Sequence, residues 1–208
     1  MDHRNITIDH PDPEHRIAEA IDLLLESDWE PQHALQVRKL ALAIFDQLAA
    51  LHGMDTRGRL ILEAASLLHD VGFPISQRRH HKISFDIIRG KLGKTWPRDE
   101  AVLVALVARY HRKAEPSVEH AGFADLDERE RSQVASLSAI LRVADGLDRT
   151  HSAAVRNLEL AIDPRRVLFR LSGPASPTDE WGARRKADLF EETFGRKVAF
   201  EWVSASTG

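Results

Sequence analysis

Residues 67–73 read LLHDVGF and end an apolar segment with a histidine beside an aspartate. Apolar residues at helical spacing predict a helix over 57–70, and His69 continues its inward-facing row. Taken alone, such a pair is most often a helix end where the two side chains share a hydrogen bond. An aspartate on an inward face, however, costs free energy unless its charge is compensated. His69 and Asp70 are therefore candidate metal ligands if other residues join them.

Three further polar residues lie on the inward faces of other predicted helices. They are His33 in PQHALQV, His111 in ARYHRKA and Asp145 in LRVADGLDR. Each stands four residues from an apolar residue of its helix, so it points into the core and not toward water. Each histidine by itself is more often a hydrogen-bonded core residue than a ligand. Five such residues from four helices indicate a shared divalent cation, which would compensate both carboxylates.

The spacing of apolar residues predicts a helical body followed by a small mixed unit. Helices are expected over 14–26, from Pro31 to a stop at Gly53, over 57–70, over 83–88, from a cap at Asp99, and over 127–150. Alternation then predicts a hairpin over 158–162 and 167–171, a helix over 180–194 and a strand over 198–202. The predicted fold is mainly α, with a small C-terminal β-β-α-β appendage. Its parts are a flexible N-terminus over 1–12, a helical domain over 13–154, and an appendage over 155–208 packed on that domain.

Composition limits the classes of function. The chain has 208 residues, 43% hydrophobic and 29% charged, which suits one core with a small addition. A formal net charge of -3 gives no general attraction to nucleic acid or to an anionic membrane surface. Cysteine is absent, which excludes thiolate chemistry and fits a reducing compartment. No apolar run approaches the roughly 20 residues that span a bilayer, so a cytoplasmic protein is expected.

The order of the candidate ligands resembles that of the HD-domain metal-dependent phosphohydrolases. The resemblance rests on His33, on the pair His69 and Asp70, and on Asp145, and it implies an HD-type helical bundle in which these side chains hold a metal. Over nearly the whole chain the sequence is similar to the C-terminal HD portion of the Ppx/GppA exopolyphosphatase and guanosine pentaphosphatase family. That similarity rests on EPQHALQV, LLHDVG, RRHHKIS, ARYHRKA, VADGLDR and ARRKADLFEETFG. It does not extend to the actin-like domains that carry phosphatase chemistry in those proteins.

The same resemblance implies a second ion, bridged by Asp70 and held by further histidines. His81 and His111 stand where those ligands fall, with His80 as the alternative to His81. The related proteins commonly have HHKHS where this chain has HHKIS, so Ile83 replaces one histidine. We therefore expect one or two ions, and two in preference. Imidazole and carboxylate ligands without thiolate suit manganese, iron, nickel or zinc, with magnesium as an alternative.

These ligands predict hydrolysis of a phosphorylated small molecule, a nucleotide or a small phosphoester. A bound divalent ion lowers the pKa of its water toward about 7 and so supplies a nucleophile for attack on phosphorus. Asp70, as the shared ligand, is the predicted catalytic residue. Basic residues beside the late ligands are predicted to bind the phosphate; they are Arg79, Lys82, Arg112, Lys113 and Arg149, with Arg78 nearby.

Other functions remain open from the sequence. The same pocket could belong to a catalytically idle regulatory module that binds a nucleotide or polyphosphate, which the missing histidine at position 83 favours. A nucleic-acid binder is disfavoured, because the basic residues are local and lack accompanying aromatic residues. The open strand edges of the appendage are compatible with a homodimer. Asp148 is expected to pair with Arg142 or Arg149 in preference to orienting a ligand histidine.

Overall fold

The computed structural model describes residues 12–203, and the chain there forms a helical body followed by a small sheet. The helices are α1 (Pro13–Glu26), α2 (Pro31–Gln47), α3 (Ala49–His52), α4 (Thr56–Leu68), α5 (His80–Leu92), α6 (Arg98–Arg109), α7 (Glu128–Gly146), α8 (Pro177–Arg184) and α9 (Asp188–Phe194). The strands are β1 (Asn157–Ile162), β2 (Arg166–Ser172) and β3 (Lys197–Val203). The mainly α fold with a small C-terminal sheet is confirmed.

The N-terminal prediction lies almost wholly outside the described residues. Of the range 1–12, only Asp12 belongs to them, and it caps α1 by accepting the backbone N–H of His15 at 2.9 Å. None of the helices within 12–203 combines the length and the apolar character needed to cross a membrane.

Aspartates at the starts of two long helices explain why the chain turns helical there. Asp55 accepts the N–H groups of Arg57 and Gly58 and so begins α4. Asp127 and Glu130 form a reciprocal capping box at the start of α7. The buried faces of α2, α4, α6 and α7 pack on one another, and their apolar residues form the main part of a single hydrophobic core.

Helix boundaries differ from the predicted ones in ways that matter for the site. Helix α4 ends at Leu68, so His69 and Asp70 follow its last turn. Helix α5 begins at His80, three residues before the predicted start. Helix α6 begins after Pro97, and Asp99 lies in its first turn instead of capping it. An acidic residue there still interacts favourably with the helix dipole, which is why the sequence signal was close but displaced.

The C-terminal sheet has the order β1-β2-β3. Strands β1 and β2 pair antiparallel, as the predicted hairpin requires, and β2 and β3 pair parallel. A parallel pair needs a crossover connection, and α8 and α9 supply it. The single helix predicted over 180–194 is divided into these two because the chain turns at residues 185–187, which lets both pack against α7.

Two glycines allow the elements around the site to approach closely. A Cβ at Gly72 would lie 2.6 Å from the carbonyl oxygen of His80 and 2.7 Å from the nitrogen of Ser84. A Cβ at Gly146 would lie 2.5 Å from the Cα of Ala183. In both cases the obstacle is backbone, so no side-chain movement could relieve it. Gly72 therefore fixes α5 beside the HDVG segment, and Gly146 fixes α8 against the end of α7.

Candidate metal centre

The predicted ligands gather at one end of the helical body because each lies near a helix terminus. His33 lies in the first turn of α2, and Asp145 lies in the last turn of α7. His69 and Asp70 follow α4, and His111 follows the end of α6. Four of these residues are buried, namely His33, His69, His111 and Asp145. The Asp70 side chain is 15% exposed. These five side chains therefore come together in one region of the molecule.

Three histidines near Asp70 share one hydrogen-bond pattern. In each, Nδ1 lies 2.6 to 2.8 Å from the main-chain carbonyl three residues earlier. The pairs are His69 with Ser66, His80 with Gln77 and His111 with Ala108. A carbonyl only accepts, so Nδ1 carries a proton in each ring, and in a neutral ring Nε2 then keeps its lone pair. Burial lowers the pKa of His80 and of His111, which keeps both rings in the neutral form that binds metals.

The lone pairs of these rings point at Asp70. Its Oδ1 lies 3.1 Å from Nε2 of His80 and 3.4 Å from Nε2 of His111, and the two nitrogens are 3.2 Å apart. None of these three atoms has a proton to donate. The buried Asp70 Oδ1 and the Nε2 of His69 have no hydrogen-bond partner, and Arg112 reaches only His80, at 3.3 Å. Buried hydrogen-bond acceptors that face one another need a positively charged partner, and a cation between them would supply it.

Two overlapping groups of side chains meet the spacing that a metal requires. One contains His33, His69 and Asp70, and the other contains Asp70, His80 and His111. Within each group the ligand atoms lie within 4.8 Å of one another. Asp70 belongs to both, and the family resemblance implies a bridging carboxylate at this position.

His80, and not His81, lies in the second group. The expectation that named His81 is corrected here, and the alternative named beside it agrees with the geometry. Consecutive residues of a helix point about 100° apart, so only one of the two can face Asp70. His81 is buried on another face of α5, its Nδ1 has no partner, and burial lowers its pKa to about 4.

His33 is held by two aspartates. Its Nδ1 donates to Oδ2 of Asp148 at 2.8 Å, and its Nε2 lies 3.6 Å from Oδ1 of Asp145. Although burial disfavours the charged ring, these carboxylates raise the pKa of His33 to about 10, so a proton occupies Nε2 at neutral pH. The expected pairing of Asp148 with Arg142 or Arg149 is wrong. Arg142 instead binds the carbonyls of Tyr110, Lys113 and Ala114.

Asp145 belongs to neither group of mutually close ligand atoms. Besides His33 it contacts Lys186, whose ammonium donates to Oδ2 of Asp145. Although burial disfavours the carboxylate, Lys186 and His33 hold the pKa of Asp145 well below its usual range. Asp145 is thus ionised and neutralised by cations of the protein itself.

A cavity of about 460 Å³ opens onto these ligands and is rich in basic residues. Arg112, Lys113 and Arg149, three of the residues predicted to bind phosphate, line it. Arg79 and Lys82 do not line it; both lie exposed at the start of α5. Arg185 and Lys186, which the sequence did not single out, complete the wall. Five basic side chains against the carboxylates of Asp70 and Asp145 make the cavity suitable for an anion.

Trp181 holds part of this basic wall in place. It is 48% exposed and lines the cavity. The guanidinium carbons of Arg149 and Arg185 lie 5.3 and 5.0 Å from its ring centroid, within the range of a cation–π contact. The two guanidinium groups therefore remain beside the cavity without a carboxylate partner among residues 12–203.

A comparison with protein families gives a match over most of the chain. The Ppx/GppA phosphatase domain III family matches residues 17–181. The chain belongs to the Ppx/GppA phosphatase family. All the candidate ligands named above lie within the matched range, whereas Arg185 and Lys186 lie outside it. A search of curated proteins gave no match.

Several residues of this Ppx/GppA domain were not found from the sequence. His151 has a left-handed backbone (φ 54°), and its ring stacks on His33 with centroids 3.9 Å apart. The spacing of Asp148 from Asp145 was a usable signal, since one helical turn separates them. Arg185 and Lys186 lie in the segment ARRKADLFEETFG, which carried part of the family resemblance, but neither they nor His151 had a spacing that tied them to the predicted ligands.

Proposed function

We propose that the chain is an HD-type, metal-dependent phosphohydrolase acting on a nucleotide or small phosphoester. One observation carries the proposal: the lone pairs of His69, His80 and His111 converge near Asp70 without a proton between them. Membership of the Ppx/GppA phosphatase family supports the class of reaction.

The donor set fits divalent metal ions. His33, His69, Asp70 and Asp145 would hold one ion, and Asp70, His80 and His111 would hold a second. Nitrogen and oxygen donors without sulfur favour manganese, iron, nickel or zinc, with magnesium as an alternative. When bound, such ions supply Lewis acidity and a water whose pKa is lowered toward about 7.

The chain's own residues would bind and orient the substrate. Arg112, Arg149 and Arg185 present guanidinium groups to the cavity, and a guanidinium can hold two phosphate oxygens at once. Asp70 has one buried oxygen directed at the histidines and would fix the position of both ions relative to the phosphate. His151 covers one face of His33 and keeps water from it.

Replacing the shared carboxylate tests the proposal. The Asp70→Ala protein should lose bound metal and turnover together, because it lacks the only ligand common to both groups. Metal content would be measured by elemental analysis, and turnover by a manganese-supplemented screen of nucleotides, cyclic dinucleotides and inorganic polyphosphate.

Asp86, exposed on α5, provides the matched control. Asp86→Ala removes an exposed aspartate that is neither a candidate ligand nor part of the cavity lining, and it should retain metal and activity. An Asp70→Ala protein that keeps both would remove Asp70 from the mechanism. Bound metal in the wild-type protein with no hydrolysis of any of these compounds would argue for a binding module.

A further inference from the structure

We propose that Lys186 is a built-in cation of this centre, whose ammonium neutralises Asp145 in the metal-free protein and is displaced when a divalent ion binds. The inference rests on the proposed function, because it takes Asp145 to be a ligand. It assigns a role to a residue that lies outside the range matched by the family.

Both oxygens of Asp145 face a cationic side chain. Lys186 donates to Oδ2, and Oδ1 faces Nε2 of His33 at 3.6 Å. The side chains of Asp145 and Lys186 are only 12% and 24% exposed, so water screens the pair weakly. A divalent ion and an ammonium repel each other strongly when both touch one carboxylate at low dielectric. Metal binding at Asp145 and the ion pair with Lys186 therefore compete.

Backbone packing, not only a flexible side chain, brings Lys186 to this place. The residue lies in the turn between α8 and α9, where its N–H donates to the carbonyl of Ala183 at 3.1 Å. Ala183 in turn lies against Gly146, the residue that follows Asp145. Arg142 fixes the next helix, since its guanidinium lies 3.2 Å from the carboxylate of Asp188. The turn that carries Lys186 is thus held on both sides.

The displaced ammonium would remain useful. Lys186 lines the cavity beside Arg149 and Arg185, so release from Asp145 adds a positive charge to the wall that faces an anion. Without metal, Lys186 would stabilise the Asp145 carboxylate. With metal bound, the same lysine would stabilise a phosphate in the cavity. Loading of the metal and readiness for an anionic ligand are then linked through one side chain.

Manganese binding to chelator-stripped protein tests this role by titration calorimetry. Lys186→Met should bind Mn²⁺ at least about tenfold more tightly than the wild type, because no hydrogen bond to a charged group has to be broken. Lys113→Met is the matched control, since Lys113 lines the same cavity but donates to the carbonyl of Arg78 at 2.9 Å and not to a carboxylate. Its affinity for Mn²⁺ should change by less than about threefold, through long-range charge alone.

Thermal melting gives a second readout. Without metal, Lys186→Met should melt below the wild type, because Asp145 loses its partner; with Mn²⁺ its melting temperature should rise more than that of the wild type. Lys186→Gln, which keeps an N–H donor without a charge, serves if the methionine variant does not fold, and it should also bind Mn²⁺ more tightly.

The outcomes separate this inference from the proposed function. A wild type that binds Mn²⁺, together with lysine variants no tighter than Lys113→Met, overturns the role of Lys186 alone. A wild type that binds no Mn²⁺, Zn²⁺ or Ni²⁺ overturns both.

Discussion

Asp148 orients the His33 ring within the site. Its carboxylate accepts the Nδ1–H of His33 at 2.8 Å and the backbone N–H of Ala153 at 2.8 Å. A carboxylate on the far nitrogen of a ligand histidine fixes both the ring orientation and the tautomer. The sequence indicated that Asp148 shares a helix face with Asp145. It could not name the partner, because His33 lies 115 residues away along the chain.

Removing this carboxylate should weaken metal binding without abolishing it. We expect Asp148→Ala to lower the affinity for Mn²⁺ by about 10- to 100-fold, the usual effect of losing such an orienting partner. Titration calorimetry would measure it. Thr150→Val is the control. Thr150 lies in the same turn as Asp148, but its hydroxyl donates to Asp179 and not to His33. An equal loss in both variants would mean that Asp148 acts only by supporting the turn.

At the scale of elements, the site is a meeting of helix ends. Apolar periodicity correctly predicted which segments are helical and which faces point inward, and this was enough to bring His33, His69, His111 and Asp145 together. Apolar periodicity did not fix the first and last residues of the helices. His81 was named from the family resemblance, with His80 as the alternative. With α5 predicted to start at residue 83, periodicity left the rotation of residues 80 and 81 about the helix axis undetermined and could not decide between them.

Gly72 sets the distance between the HDVG segment and α5. Gly72→Ala should lower the free energy of unfolding by about 1–3 kcal/mol, because the added methyl meets backbone that has to move. The displacement carries His80 away from Asp70, so the variant should hold fewer ions per chain. Urea denaturation and elemental analysis would measure the two effects.

Gly90 lies on the same helix with nothing near its would-be Cβ, and it offers the control. Gly90→Ala should raise stability by about 0.5–1 kcal/mol through helix propensity. If Gly72→Ala behaves like Gly90→Ala, the close approach is not needed.

At the scale of the whole molecule, charge is distributed unevenly. The chain carries a formal charge of -3, yet one cavity gathers five basic side chains. Arg185 and Lys186 come from the C-terminal unit, so the division at residue 154 that apolar spacing predicts runs through the cavity wall. Sequence periodicity predicted that unit and its strands. It could not predict where the unit docks, because contacts between α7 and α8 depend on close packing and not on a local pattern.

Adjacent arginines test the basic wall. Arg185 lines the cavity, whereas Arg184 pairs with Glu180 at 2.8 Å and does not line it. Arg185→Ala should weaken binding of inorganic phosphate about tenfold, the worth of one hydrogen bond between charged groups. Arg184→Ala should change it by less than about twofold, as expected for an exposed ion pair. Calorimetry at two salt concentrations measures this; equal losses would show that only net charge matters.

The contact between Gly146 and Gly182 has a consequence for how the protein opens. A Cβ at Gly182 would lie 2.6 Å from the carbonyl oxygen of Gly146, so the two backbones touch directly. Helix α8 cannot lift away without exposing the last turn of α7, and that turn cannot fray beneath it. The amide hydrogens of both segments should therefore exchange with solvent at one common rate. The two segments would then open as a single cooperative unit, although one belongs to the helical domain and the other to the C-terminal appendage.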